Sequence, residues 1–176
     1  LSFGVALSAR ADDSLTQHVD SSEQVVREEA VIERGHVDLG PKIVDSKPEI
    51  LARDDSGETP LWRPLDNLVF RVMDSGKLQV PSDPSYSFLH AREGESYCVI
   101  PQTQNPNVVW LGWNTQDPEL IKVMGNGATM TLGNLQGPGQ AWLFLQDGAF
   151  GAPTVLYDST ASSQSDIWVE ANTHVH

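Results

Sequence analysis

From Gly35 onward, apolar residues come in short runs with a period of two, broken by Gly, Pro, Asn and Asp. In 128–132, Met130 and Leu132 fall on one side of an extended chain and Thr129 and Thr131 on the other. In 140–145, Trp142 and Phe144 oppose Leu143 and Leu145. This patterning predicts strands over 49–53, 67–73, 96–100, 108–113, 128–132, 140–145, 154–157 and 166–170. Turn signals separate them: Asp74-Ser-Gly76, Pro81-Ser-Asp-Pro84, Gly125-Asn-Gly127, Gly137-Pro-Gly139 and Asp147-Gly148, where Pro fixes φ and Gly or Asn accepts positive φ. A turn about every ten residues predicts an all-β fold, an antiparallel β-sandwich of immunoglobulin or jelly-roll type. Eleven prolines and fourteen glycines among the strands argue against long helices.

The first 33 residues read differently. Residues 1–11 are apolar and end in Ala9-Arg10-Ala11, a small-x-small pattern followed by Asp12-Asp13. They are expected to be the remnant of a secretory signal, which predicts an exported, extracellular protein. Residues 12–33 form a polar leader, disordered or short-helical. Within it 24–32 suits a short helix or a linker equally, because its apolar positions make no clean stripe. Residues 34–176 are the β domain. No run approaches the ~18 apolar residues of a membrane-spanning helix.

Charge narrows the partners. The chain of 176 residues carries 11 Lys+Arg against 24 Asp+Glu, a net −13, and from Tyr97 on Lys122 is the one basic residue. Such a surface repels phosphate backbones, which excludes nucleic-acid binding. The single cysteine, Cys98, rules out an intrachain disulfide or a thiolate zinc cluster, and its alternating surroundings predict a buried apolar role.

Two clusters of residues carry candidate chemistry. His36 and Asp38 stand two apart in Gly35-His-Val-Asp-Leu-Gly-Pro41, and His174 and His176 stand two apart in Asn172-Thr-His-Val-His176. Residues i and i+2 of a strand project from one face, about 7 Å apart at Cα. If the strands bearing these pairs lie side by side, they pool three imidazole nitrogens and a carboxylate. That N₃O set suits Zn²⁺ and, less selectively, Mn²⁺, Fe or Cu. The plainer alternative is exposed histidines and an aspartate bonded to backbone. The second cluster is Gln102, Gln104, Trp110, Trp113 and Asn114, an aromatic platform flanked by amides that suits a sugar ring, with Trp62, Trp142 and Trp168 as extensions. Against it stands the ordinary expectation that tryptophans are core and amides satisfy loops. His18 and His90 are expected to be solvated, and Asp54-Asp-Ser-Gly-Glu58 a solvated turn. No nucleophile elbow, phosphate loop, dinucleotide fingerprint or His-Glu-x-x-His occurs, so a non-enzymatic protein is expected.

Taken in order, Gly35-His-Val-Asp-Leu-Gly-Pro41, Val80-Pro81, Phe88-Leu89, Pro101-Gln-Thr-Gln104, Leu111-Gly-Trp-Asn-Thr115, Gly137-Pro-Gly139, Phe150-Gly151 and Asn172-Thr-His-Val-His176 resemble the actinobacterial surface-anchored protein domain, also called the choice-of-anchor M domain. The resemblance spans about 35–176. It implies an exported, wall- or membrane-tethered protein, often found with ABC transport systems of the zinc/manganese type. In that family the last motif continues into a further strand, so the resemblance also implies a domain truncated at its C-terminal side. The motif residues it carries over are His36, Asp38, His174 and His176. The expected function is capture of a transition-metal ion, Zn²⁺ favoured, for such an uptake system. Surface adhesion or glycan binding, and a structural stalk, are the alternatives.

Overall fold

The computed structural model describes the backbone of residues 2–6 and residues 19–146, 151–161 and 164–176. Ala9-Arg10-Ala11, His18 and the Asp147-Gly148 turn lie outside the described residues. Among the described residues the fold is an all-β sandwich with two five-stranded sheets, two small two-stranded sheets and one short α-helix, α1 (Pro118–Ile121).

One sheet carries the candidate site. Its members are β3 (Gly35–Val44), β4 (Lys47–Asp54), β5 (Leu61–Pro64), β9 (Val109–Asn114) and β14 (His174–Val175), in the order β14-β9-β3-β4-β5. The other is β12-β11-β1-β8-β7, built from β1 (Ser2–Ala6), β7 (Lys77–Gln79), β8 (Ser96–Ile100), β11 (Gln140–Leu145) and β12 (Thr154–Asp158). The pairs β10 (Gly127–Gly133) with β13 (Gln164–Glu170), and β2 (Ala30–Ile32) with β6 (Leu68–Phe70), complete the molecule. All eight strands expected from the patterning are present, with ends shifted by up to three residues. Antiparallel pairs are joined by parallel ones: β3–β9, β2–β6, and β1 with both β8 and β11. Parallel partners come from distant parts of the chain, where no turn signal announces them.

The segment preceding β3 does not take the helical shape suggested for 24–32. Residues 24–32 contain no helix: Val26 N–H donates to the Trp62 carbonyl, Trp62 N–H to that of Gln24, and β2 pairs with β6. Val19 is buried against Leu51 and Trp62, and Glu23 accepts from Arg53 and from the Trp62 indole. The polar segment is therefore tied to the β4–β5 edge by backbone pairing and an ion pair.

Strand β3, on which the i, i+2 argument places His36 and Asp38, is absent from the eight runs because Gly35, Gly40 and Pro41 interrupt it, and its polar and apolar positions are both buried. Val37 and Leu39 pack with Ile32, Ala52, Val109 and Leu111. On the opposite face His36, Asp38 and Lys42 are buried as well. Gly40 permits this: a Cβ there would meet the Asn114 backbone carbonyl, so only glycine lets β3 and the end of β9 approach.

Candidate metal centre

His36 and Asp38 come from β3, His174 from β14, and His176 directly follows β14. These strands are not adjacent, as the sequence reading required; β9 runs between them. His36 pairs with Trp110 and Asp38 with Gly112 on one flank of β9, while His174 pairs with Asn114 on the other. Residues 110, 112 and 114 thus share a face with all four candidate ligands. The middle one has no side chain. A Cβ on Gly112 would lie 2.5 Å from Asp38 Oδ1 and 2.6 Å from His176 Cε1, so the hole at Gly112 is the space in which the four side chains meet across an intervening strand.

They meet closely. His36 Nε2 lies 3.1 Å from Asp38 Oδ1 and 3.0 Å from His176 Nε2. His174 Nε2 lies 3.0 Å from Asp38 Oδ1, and His176 Nε2 3.8 Å from it. One donor atom from each residue falls within 4.8 Å of every other. A tetrahedral ion with bonds of 2.0–2.1 Å needs donors about 3.3 Å apart, and these contacts bracket that spacing. The cluster can hold a metal ion.

The surroundings orient the donors. The Asp55 carboxylate stands 3.5 Å from His36 Nδ1, on the outer side of the ring, and Nε2 points inward. This Nε2 faces a carboxylate oxygen and a second imidazole nitrogen at once. A neutral ring nitrogen is either donor or acceptor, so His36 Nε2 cannot answer both neighbours with one hydrogen in good geometry. A cation at the centre answers every lone pair. Asn114 Nδ2 donates to Asp38 Oδ2 at 3.3 Å, its own Oδ1 being committed to the Gln116 N–H at 2.8 Å. Trp110 stacks on His176 at 3.6 Å, and its indole N–H donates to the Gln102 carbonyl at 2.6 Å. His176 Nδ1 is buried without a hydrogen bond of good geometry, although the Leu111 carbonyl acts on it.

Electrostatics favours the deprotonated forms of Asp38 and His176. Burial alone raises the Asp38 pKa, but hydrogen bonds from His174 and His36 and their charge outweigh it, holding the carboxyl well below its usual range. Burial pushes His176 down to about 4, with Asp38 opposing and His36 and His174 reinforcing the shift.

The glycan-type cluster does not assemble as one surface. Trp110 belongs to the metal-centre face, whereas Trp113 lies on the other face of β9, near Leu143 and Tyr157. Gln102 contributes its backbone carbonyl and Gln104 is an exposed loop residue. Trp62 and Trp142 are core residues; Trp168 is exposed on β13, over Gly127. Cys98 is buried and His90 is largely exposed, as expected. Of the Asp54–Glu58 stretch, Ser56, Gly57 and Glu58 are exposed as expected, but Asp54 is buried, accepting from Ser56 and Arg63, and Asp55 lies beside His36. The supports missed in the sequence are Asp55 and Gly112. Only the glycine in Leu111-Gly-Trp-Asn, within an otherwise bulky strand, offered a signal, since such a glycine marks a close approach.

No family model, no curated protein and no solved structure matches this chain. Among the described residues no helix is long and apolar enough to cross a membrane.

Proposed function

We propose that this chain is a non-enzymatic extracellular domain that captures a transition-metal ion, with Zn²⁺ the favoured occupant. His36, His174 and His176 bind through Nε2 and Asp38 through a carboxylate oxygen. The observation that carries this reading is the convergence of four donor atoms at ligand spacing in a buried pocket whose floor is a glycine. Zn²⁺ is favoured because it accepts four N and O donors in a closed tetrahedron, whereas square-planar or octahedral ions want other arrangements. Export, surface anchoring and service to an ABC-type uptake system rest on the family resemblance. The net charge of −13 raises the local concentration of cations without selecting among them.

Calorimetric titration with Zn²⁺ tests the reading directly. The wild-type chain is expected to bind one ion, and the His174→Ala/His176→Ala variant, with half its donors gone, to lose that binding. Equal, weak heats from both proteins refute the proposal.

A further inference from the structure

Asn114 lies where the three strands that bear the site meet. On β9 it pairs with His174 of β14, and its backbone carbonyl is the group for which glycine at position 40 of β3 leaves room. Its side chain shares the face of the four ligands and is 1% exposed, instead of joining the sugar-type cluster in which the sequence set it. The neighbours fix which way the amide points. Oδ1 accepts the Gln116 N–H at 2.8 Å, so Nδ2 is the end left for Asp38, 3.3 Å from its Oδ2. The two oxygens of Asp38 thus have different partners. Oδ1 faces the Nε2 atoms of His36 at 3.1 Å and His174 at 3.0 Å, whereas Oδ2 faces the Asn114 amide. Asp38 is 0% exposed, so bulk water cannot stand in for that amide.

A carboxylate can give a metal ion one oxygen or two. We propose that Asn114 is a positioning residue that holds Asp38 to one. By keeping Oδ2 for itself it leaves Oδ1 alone for the ion, and so selects ions content with few donors. This rests on the metal-capture reading above and adds what sets the selectivity of that site. With one oxygen from Asp38, the residues His36, Asp38, His174 and His176 supply four donor atoms, the number that Zn²⁺ takes in a closed tetrahedron. Mn²⁺ belongs in octahedral, oxygen-rich sites, and a one-oxygen Asp38 disfavours it. Without the amide, Oδ2 is a buried charged acceptor that lacks a donor, which is costly, and turning toward the ion relieves it. The site then offers a fifth donor and discriminates less against Mn²⁺.

Two variants of nearly the same shape test this. Asn114→Leu removes the donor to Asp38. Asn114→Asp removes it as well but keeps an oxygen for the Gln116 N–H, so it behaves as the wild type if Asn114 serves only to hold that turn. Affinities for Zn²⁺ and Mn²⁺ are read by competition with a metal-binding dye. Co²⁺ is the spectroscopic probe, because its visible bands are intense in a tetrahedral site and weak at higher coordination number. Wild-type protein loaded with Co²⁺ is expected to give the intense bands. In both variants the bands are expected to weaken and the Zn²⁺-over-Mn²⁺ affinity ratio to fall about tenfold, the lower end of what losing an outer partner costs. The proposal is overturned if the wild type gives only weak bands, or if either folded variant keeps the wild-type bands or ratio. Where Asn114→Leu fails to fold, Asn114→Asp decides. Absence of Zn²⁺ binding to the wild type is a separate outcome, seen in the calorimetry, and it removes the capture reading along with this role for Asn114.

Discussion

The two faces of the β14-β9-β3-β4-β5 sheet differ in their centres: around β3 and β9 one is apolar and the other polar, although the polar side also buries Leu51 and Trp62 and the apolar side Asp54. One holds Val37, Ala52 and Val109, all fully buried, packed with Ile32, Leu68 and Phe70. The other buries His36, Asp38, Lys42 and Arg53, and each has a specific partner. Asp38 faces the imidazoles and Asn114, Lys42 lies 2.9 Å from Asp117 and 5.0 Å from the Trp62 ring, and Arg53 grips Glu23. The apolar face tolerates any neighbour of suitable shape. The polar face is stable only while every partner is present, because a charge left alone in the interior costs several kcal/mol. The difference teaches that the first face makes the sheet and the second makes a site, and that the two should fail separately.

The sharpest way to break the comparison is a change at the floor of the cage. Gly112→Ala places a methyl group against Asp38 and His176, and is expected to weaken Zn²⁺ binding by roughly a hundredfold, the upper end of what disturbing a ligand's immediate support costs. Competition with a chelating dye measures it; unchanged affinity denies Gly112 its role as floor. On the apolar face, Val109→Ala removes two methyl groups from a fully buried side chain. It should lower unfolding free energy by about 2 kcal/mol in urea titration, with Zn²⁺ affinity unaltered in the protein that remains folded. Metal binding lost along with that stability means that the faces are not independent.

Acid should act on the polar face through His176. With His176 held at about 4 against an unfolded value of 6.5, the unfolded chain takes up a proton before the folded one does. Stability of the metal-free protein is thus fully present above about 6.5 and is lost as pH falls toward about 4. The lowered Asp38 acts in the same direction, but only below the usual carboxylate range. Thermal melts in chelator between pH 7 and 5 should show this slope, flattened in His176→Gln. Equal slopes in both proteins assign the acid sensitivity elsewhere.

Much of this was legible along the chain. The eight expected strands needed only a period of two and the chemistry of Gly, Pro and Asn turns, both local properties. The donor residues were legible too, since i and i+2 on a strand always share a face. The burial of both faces of β3 was not, because alternation normally separates a buried face from a wet one, and here His36 and Asp38 are buried along with Val37. Asp55 was misread for a related reason: a run of acidic residues beside Ser and Gly looks like a solvated turn until Arg53 and His36 are placed beside it. The helix suggested for 24–32 gave way to backbone pairing with Trp62, a partner more than 30 residues away.

The sequence by itself determined the all-β class, most of the strand positions and which side chains are chemically able to bind a cation. These follow from interactions within a few residues of each other. Only the tertiary structure decided that β9 separates β3 from β14 and that Gly112 leaves room across it. Bringing residues 36 and 38 to residues 174 and 176 depends on strand order, which no local pattern encodes, because pairing of distant strands is selected by the packing of the whole sheet.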